Sequence, residues 1–279
     1  MLRLTPSNTL LALLASSAAC GPAVVAPPPP PPPDPELPSC WEPAPLDDAS
    51  PLAATAPFAR YVDPHIGTGG VGFGVGSAFP GPQRPFGMAR PGPDTRQAGG
   101  AVSFLHCSGY AYEDPYIYGF SQTRMHGTGI VDYGTLGLMP TLGMSPEKTT
   151  AEGRMQAYSH DDEDASPSSY EVTLGDGIGV GLTASDHVSW YSLTFPTSPG
   201  SEPTVLLDVG HALPDVTIVD GSVSIDESAR LVTGFAHFSG GYSDRFGGMP
   251  VHFAARFSEP FAAFGVWKAG ELFAGETAR

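Results

Sequence analysis

Apolar and polar positions alternate over short stretches along most of the chain. Tyr170-Glu171-Val172-Thr173-Leu174 and Val188-Ser189-Trp190-Tyr191-Ser192-Leu193 carry large side chains at every second place. Val205-Leu206-Leu207-Asp208-Val209 and Val251-His252-Phe253-Ala254-Ala255-Arg256-Phe257 are richer in apolar or β-branched residues. Both patterns predict strands, since side chains along a strand point to opposite faces with period two. Turn-forming groups separate the runs: Gly175-Asp176-Gly177, Asp220-Gly221, Gly240-Gly241 and Gly247-Gly248. Short strands spaced about ten residues apart predict an all-β fold, a large antiparallel β-sandwich, beginning near Phe58. No helical stripe exceeds two or three turns, and no repeat of fixed period suggests a propeller or solenoid.

Composition agrees. The 279 residues include 35 Gly and 31 Pro, which punctuate helices and supply turns, and 41% hydrophobic residues, enough for a core. The formal net charge of −16 repels phosphate backbones, so nucleic acid is not an expected partner. Residues 1–20 read as an export leader: Arg3, the apolar run Leu10-Leu11-Ala12-Leu13-Leu14-Ala15, then small residues up to Cys20. The run is too short for a spanning helix. Small residues before a cysteine suggest a bacterial lipoprotein site with lipidation at Cys20, and plain secretion is the alternative. Residues 21–56 form a proline-rich linker, in which residues 27–33 favour an extended polyproline spacer. Cys40 and Cys107 could pair in an oxidising compartment or remain two separate thiols. The three segments expected are thus 1–20, 21–56 and 57–279.

Candidate chemistry is concentrated early in the folded part. The glycine-rich residues 67–76 superficially match a dinucleotide loop, but Pro80, Pro82 and Pro85 forbid the helix such a loop needs. They read instead as an irregular loop whose backbone can approach another surface closely. From Phe104 to Asp132 polar and aromatic residues are dense, including His106, Cys107, Tyr110, Tyr112, Glu113, Asp114, His126 and Asp132. Sugar recognition uses such residues, because a sugar offers C–H faces to stack and hydroxyls to pair. A core of interfacial tyrosines and satisfied histidines would give the same composition. No Gly-x-Ser-x-Gly elbow appears, and His106 and Cys107, neighbours on a strand, would face apart and make no thiolate pair. The histidines lack zinc spacing, and Asp161-Asp162-Glu163-Asp164 reads as a solvated bulge, not a calcium loop.

Taken in order, a series of strings resembles the family-92 glycoside hydrolases. They include Val62-Asp63-Pro64-His65-Ile66-Gly67-Thr68-Gly69-Gly70, Phe79-Pro80-Gly81, Pro85-Phe86-Gly87-Met88, Cys107-Ser108-Gly109-Tyr110 and Gly119-Phe120-Ser121-Gln122-Thr123-Arg124. Ser159-His160, Ala165-Ser166-Pro167 and Leu207-Asp208-Val209-Gly210-His211 follow. The resemblance implies calcium-dependent exo-α-mannosidases in which an N-terminal β-sandwich packs on a C-terminal (α/α)6 barrel. Such enzymes remove terminal α-linked mannose from glycans and glycoproteins with inversion, using an acid and a base carboxylate. In the family those carboxylates and most ligands of the Ca2+ ion lie in the barrel, so the resemblance assigns no catalytic residue and no metal ligand to this chain. It also implies that the sandwich is incomplete at residue 279.

The expected role is therefore contact with mannose-containing glycans, in company with a barrel in cis or trans. The substrate-binding residues implied are His65, Gly69, Gly70, Phe104, His106, Cys107, Tyr110 and His126. His65 stands where many members have Phe, and Phe104 where many have Trp, which implies an altered preference for the leaving sugar. The expected location is outside the cytoplasm, on a membrane through a lipid anchor or secreted. A stand-alone carbohydrate-binding surface lipoprotein without catalysis is the competing reading.

Overall fold

A computed structural model describes residues 2–4, 59, 61–70, 76–100, 104–198, 201–268, 271–273 and 277–278. The leader beyond Leu4, Cys20, the linker with Cys40, residues 71–75 and the side chain of Phe104 lie outside the described residues.

Sixteen strands are described in chain order. They are β1 (Leu2–Leu4), β2 (Gly92–Arg96), β3 (Tyr116–Ser121), β4 (Gly137–Leu142), β5 (Gln156–Ala157), β6 (Glu163–Ala165), β7 (Tyr170–Thr173) and β8 (Gly179–Ala184). Then come β9 (Ser189–Thr194), β10 (Pro203–Asp208), β11 (Thr217–Asp226), β12 (Leu231–Ser239), β13 (Met249–Arg256), β14 (Val266–Lys268), β15 (Glu271–Phe273) and β16 (Thr277–Ala278). An eight-stranded sheet runs β15-β14-β1-β10-β4-β3-β2, with β5 beside β3. Two four-stranded sheets run β6-β7-β8-β9 and β13-β12-β11-β16. All pairings are antiparallel except those of β1 with β10 and β14.

The alternation of side chains explains the layering. Leu206 in β10 packs with Ile117, Phe120, Met139, Tyr170, Val172 and Val180, which joins the large sheet to β6–β9. Its neighbour Leu207 points the other way and packs with Val223, Ile225, Val232 and Val266, which joins the same sheet to β11–β13. The large sheet is thus covered on both faces. That is why β2, β3 and β4 are buried almost throughout instead of alternating.

A line of buried charge crosses this central sheet. Arg124, wholly buried, donates to the carbonyls of Arg90, Gly92, Pro93, Ser108 and Ser121 and lies 3.2 Å from Asp94 Oδ1. Asp94 Oδ2 takes a 2.8 Å contact from His211 Nε2, the other ring nitrogen of His211 faces Arg154, and Arg154 pairs with Asp208 at 2.8 Å. Desolvation pushes the Arg124 pKa down, and Asp94 opposes that shift.

One expected turn is corrected. Asp220-Gly221 lies inside β11 at a bulge between Ile218 and Asp220, not between strands. A Cβ on Gly221 would sit 3.2 Å from Phe235 O, so the glycine admits a close strand neighbour there.

Candidate functional site

The most developed polar site lies at β6, the outer strand of the β6–β9 sheet. Residues 61–70 form successive turns held by local bonds. His65 N donates to Asp63 Oδ1 at 2.9 Å, Ile66 N to Asp63 O, and Thr68 N and Oγ1 both donate to His65 O. Across from the loop, Tyr112 N donates to Thr68 O at 3.1 Å, and Gly70 N to Glu113 Oε1 at 3.0 Å. Glycine is required at this seam. A Cβ on Gly69 would come within 2.9 Å of Tyr112 Cβ, and Gly70 has φ +119°.

Glu163 sits beneath the loop with its side chain entirely buried. Its carboxylate accepts from Tyr170 OH at 2.7 Å and Tyr110 OH at 3.0 Å, takes the Nδ1 of His160 at 2.7 Å, and lies 3.3 Å from the Nε2 of His65. Burial pushes the Glu163 pKa up, but the facing His65 and the hydrogen bonds from His160 and Tyr170 outweigh it, so the carboxyl titrates below its usual range. The nearby Glu163 carboxylate is the largest influence on His65, whose pKa is raised against the opposing effect of its own burial. Tyr110, Tyr158 and Tyr170 are all pushed up, first by burial.

His160, held on Glu163 by one nitrogen, presents the other to Tyr112 O at 2.7 Å. Its ring also stacks on Tyr112 with centroids 3.8 Å apart. The result is an open cleft of about 370 Å³ lined by Val62, Asp63, His65, Tyr112, His160, Glu163, Asp164 and Ala165.

The residues expected to bind substrate fall into three groups. His65, Gly69 and Gly70 belong to the loop over this cleft, and Tyr110 reaches the same centre from inside, its hydroxyl on Glu163. His106, Cys107 and Tyr110 are buried, so their side chains offer no surface to a sugar in this conformation. His106 Nε2 faces Asp114 Oδ2 at 2.5 Å, and burial raises the Cys107 thiol pKa. Nor are His106 and Cys107 on a strand: Phe104–His106 is a 3-10 turn, and Cys107 follows in a tight turn. His126 stands apart, edge-on to Phe79 and 3.4 Å from Gln83, its pKa lowered by desolvation and by Arg90 and Arg124.

Glu163, His160 and Asp63 were not among the residues singled out for binding, and Tyr112 was noted only within the polar and aromatic stretch from Phe104 to Asp132. The acidic run is only partly the solvated bulge expected. Asp161, Asp162 and Asp164 are exposed, but the period of β6 turns Glu163 inward. Among the described residues, no group of three or more His, Cys, Asp or Glu side chains could hold a metal ion.

The chain is similar to several known proteins. The family model described as the glycosyl hydrolase family 92 N-terminal domain matches residues 61–279. An uncharacterized secreted glycosidase of Arthroderma benhamiae is 30% identical over 184 residues, covering 62% of this chain and 22% of that protein. The structure of a family GH92 alpha-mannosidase from Bacteroides thetaiotaomicron, in complex with mannoimidazole, is 30% identical. It superposes with a TM-score of 0.63 over 74% of this chain and 26% of the enzyme. A family GH92 inverting mannosidase of the same organism gives 28% identity and a TM-score of 0.62, over 79% of this chain and 28% of that one. The chain therefore spans about a quarter of the length of these relatives. The ordered strings of residues 62–211, the layered all-β architecture and the family match agree, and this chain belongs to glycosyl hydrolase family 92, whose N-terminal domain it carries.

Proposed function

We propose that this chain is the carbohydrate-contacting N-terminal domain of an exported α-mannosidase that hydrolyses terminal α-linked mannose with inversion. The observation that carries the reading is the match of residues 61–279 to the family's N-terminal domain. The solved relatives are an alpha-mannosidase in complex with mannoimidazole and an inverting mannosidase. The acid and base carboxylates, and most ligands of a calcium ion, belong to an (α/α)6 domain acting in cis or trans. Tyr61, Val62 and Ile66 support docking of such a partner, since these large apolar side chains on the 61–70 turns are 72%, 54% and 76% exposed. Export is supported by the leader pattern of residues 1–20 and by the secreted fungal relative, and processing before Cys20 would also remove β1, which lies between β10 and β14 in the large sheet. Acylation at Cys20 would then hold the protein on a membrane surface.

In this division of labour the domain binds and orients. The 61–70 loop, fixed from below by Glu163, presents backbone and polar side chains to a sugar, while water activation and leaving-group protonation occur elsewhere. The test is an assay of the purified chain for mannose release from an aryl α-mannoside and α-linked mannobiosides, with calcium and with chelator. No turnover in either condition, together with measurable mannoside binding, is the expected result. Calcium-dependent turnover by this chain would overturn the division of labour, and absence of all mannoside binding would overturn the carbohydrate-contacting role.

A further inference from the structure

Tyr112 is held in an unusual way for an exposed residue. Its ring, 40% exposed, lies against His160 on one face and meets His65 edge-on at 5.9 Å. Its own carbonyl faces His160 Nε2, and its N–H is taken by Thr68 O. Ring and backbone are fixed together, and both fixings trace to Glu163, which anchors His160 through Nδ1. An exposed tyrosine contributes little to a core, so this much restraint on one points to a surface prepared for contact.

The chemistry around the ring narrows what could be contacted. Glu163 already accepts from Tyr110, Tyr170 and His160, so it serves as scaffold and has little capacity left for a cation. Asp63, its side chain 62% exposed, is the hydrogen-bond acceptor at the mouth, and His65 lies beside it. Carboxylates outnumber any cationic groups that could attract a phosphate or a carboxylate ligand: Asp63, Glu163 and Asp164 against His65 and His160. An aromatic surface next to a carboxylate, in a cleft of about 370 Å³, suits a small neutral ligand with C–H faces and many hydroxyls.

We propose that the cleft between Asp63, His65 and Tyr112 binds one neutral glycosyl unit, with the Tyr112 ring as its platform and the Asp63 carboxylate as the acceptor for its hydroxyls. Glu163 is a positioning residue that acts through His160 and His65. The proposal rests on the carbohydrate-contacting reading above, and it moves the contact away from the buried His106, Cys107 and Tyr110.

The experiment is a titration of the full chain with methyl α-mannopyranoside, followed through the backbone amide resonances of the 15N-labelled protein. Saturable shifts are expected at the amides of Asp63, His65, Tyr112 and residues 160–164. Tyr112→Ala should weaken binding about ten-fold or more, and Tyr112→Phe should retain most of it. Asp63→Asn, which keeps the Oδ1 acceptor for His65 N, serves as a second variant whose fold is not at issue and should also weaken binding. Unchanged affinity in both Tyr112→Ala and Asp63→Asn, with shifts confined to residues 69–70 and 126, would overturn the cleft while leaving the carbohydrate reading standing. Absence of saturable shifts anywhere would overturn both.

Discussion

Tyr112 lies flat on His160, the two ring planes within 4° of parallel. The stack depends on a residue in neither ring, because His160 is oriented by the buried Glu163 carboxylate. Glu163→Ala would leave two tyrosine hydroxyls and two imidazoles facing an uncompensated hole. The expected cost is about 3 kcal/mol, within the range for removing one member of a buried charged network. Urea denaturation followed by tryptophan fluorescence measures it, and an unchanged midpoint would contradict the central role given to this carboxylate.

The same centre sets a pH window. The Glu163 pKa lies below its ordinary 4.5, so its stabilising contribution is complete above that value and is lost as pH falls through the depressed folded-state pKa. The His65 pKa lies above its ordinary 6.5, so its contribution is complete below 6.5 and is lost as pH rises through the elevated folded-state pKa. Together they favour the folded cleft most between pH 4.5 and 6.5. In His65→Phe the decline on the alkaline side should be shallower than in wild type, while the acid side changes less. Denaturant midpoints across pH 3 to 9 for the two proteins, ~ ten conditions each, make the comparison.

Asp94 is the node of the other buried network, between Arg124 and His211. Asp94→Ala should destabilise the domain by about 3–5 kcal/mol, because it strands a buried guanidinium in the middle of the large sheet. Asp226→Ala, at a fully exposed carboxylate at the end of β11, is the control and should cost far less. Thermal melts of the two variants side by side decide it.

Gly69 offers a steric test. Gly69→Ala places a Cβ 2.9 Å from Tyr112 Cβ and 2.7 Å from Glu113 Oε1. The Glu113 end can swing away, whereas the Tyr112 Cβ is fixed to backbone, so the loop should shift off the cleft. Gly99→Ala meets nothing within 4 Å and strains only its φ of +63°, for about 1 kcal/mol. The two variants should therefore differ in amide shifts at residues 110–113, with only Gly69→Ala moving them.

Burial raises the Cys107 pKa, so its thiolate is scarce at neutral pH. Alkylation of Cys107 by iodoacetamide is expected to be slow in the native protein and rapid in urea, as read by peptide mass. Fast native labelling would mean that the 104–109 turn opens readily.

Of the strands legible in sequence, β7, β9 and β13 alternate between a more buried and a more exposed face, whereas β10 was legible as an apolar run. Residues 170–174, 188–193, 205–209 and 251–257 each coincide with an observed strand to within a residue or two. The strands β2, β3 and β4 were illegible because they break the period-two rule in two ways. They are covered on both faces, and their buried positions include Asp94, Thr95, Ser121 and Thr141. These polar residues become tolerable inside only once partners from elsewhere are in place, as Asp94 shows with Arg124 and His211. The site was legible in part for the same reason. His65 and the glycine loop announce themselves locally, but Glu163 sits in a run of four acids, and only the strand register separates it from its solvated neighbours.

The buried charge line also orders events in time. Asp94 and His211 are 117 positions apart, and Arg154 finds Asp208 across 54. A chain growing from its N-terminus holds Asp94, Arg124 and Arg154 long before Asp208 and His211 exist. Until β10 arrives, Arg154 lacks Asp208 and Asp94 lacks His211, so the line of buried charge is incomplete. Closure then depends on contacts of great sequence separation, which places refolding in the slow range for single domains, roughly milliseconds to seconds.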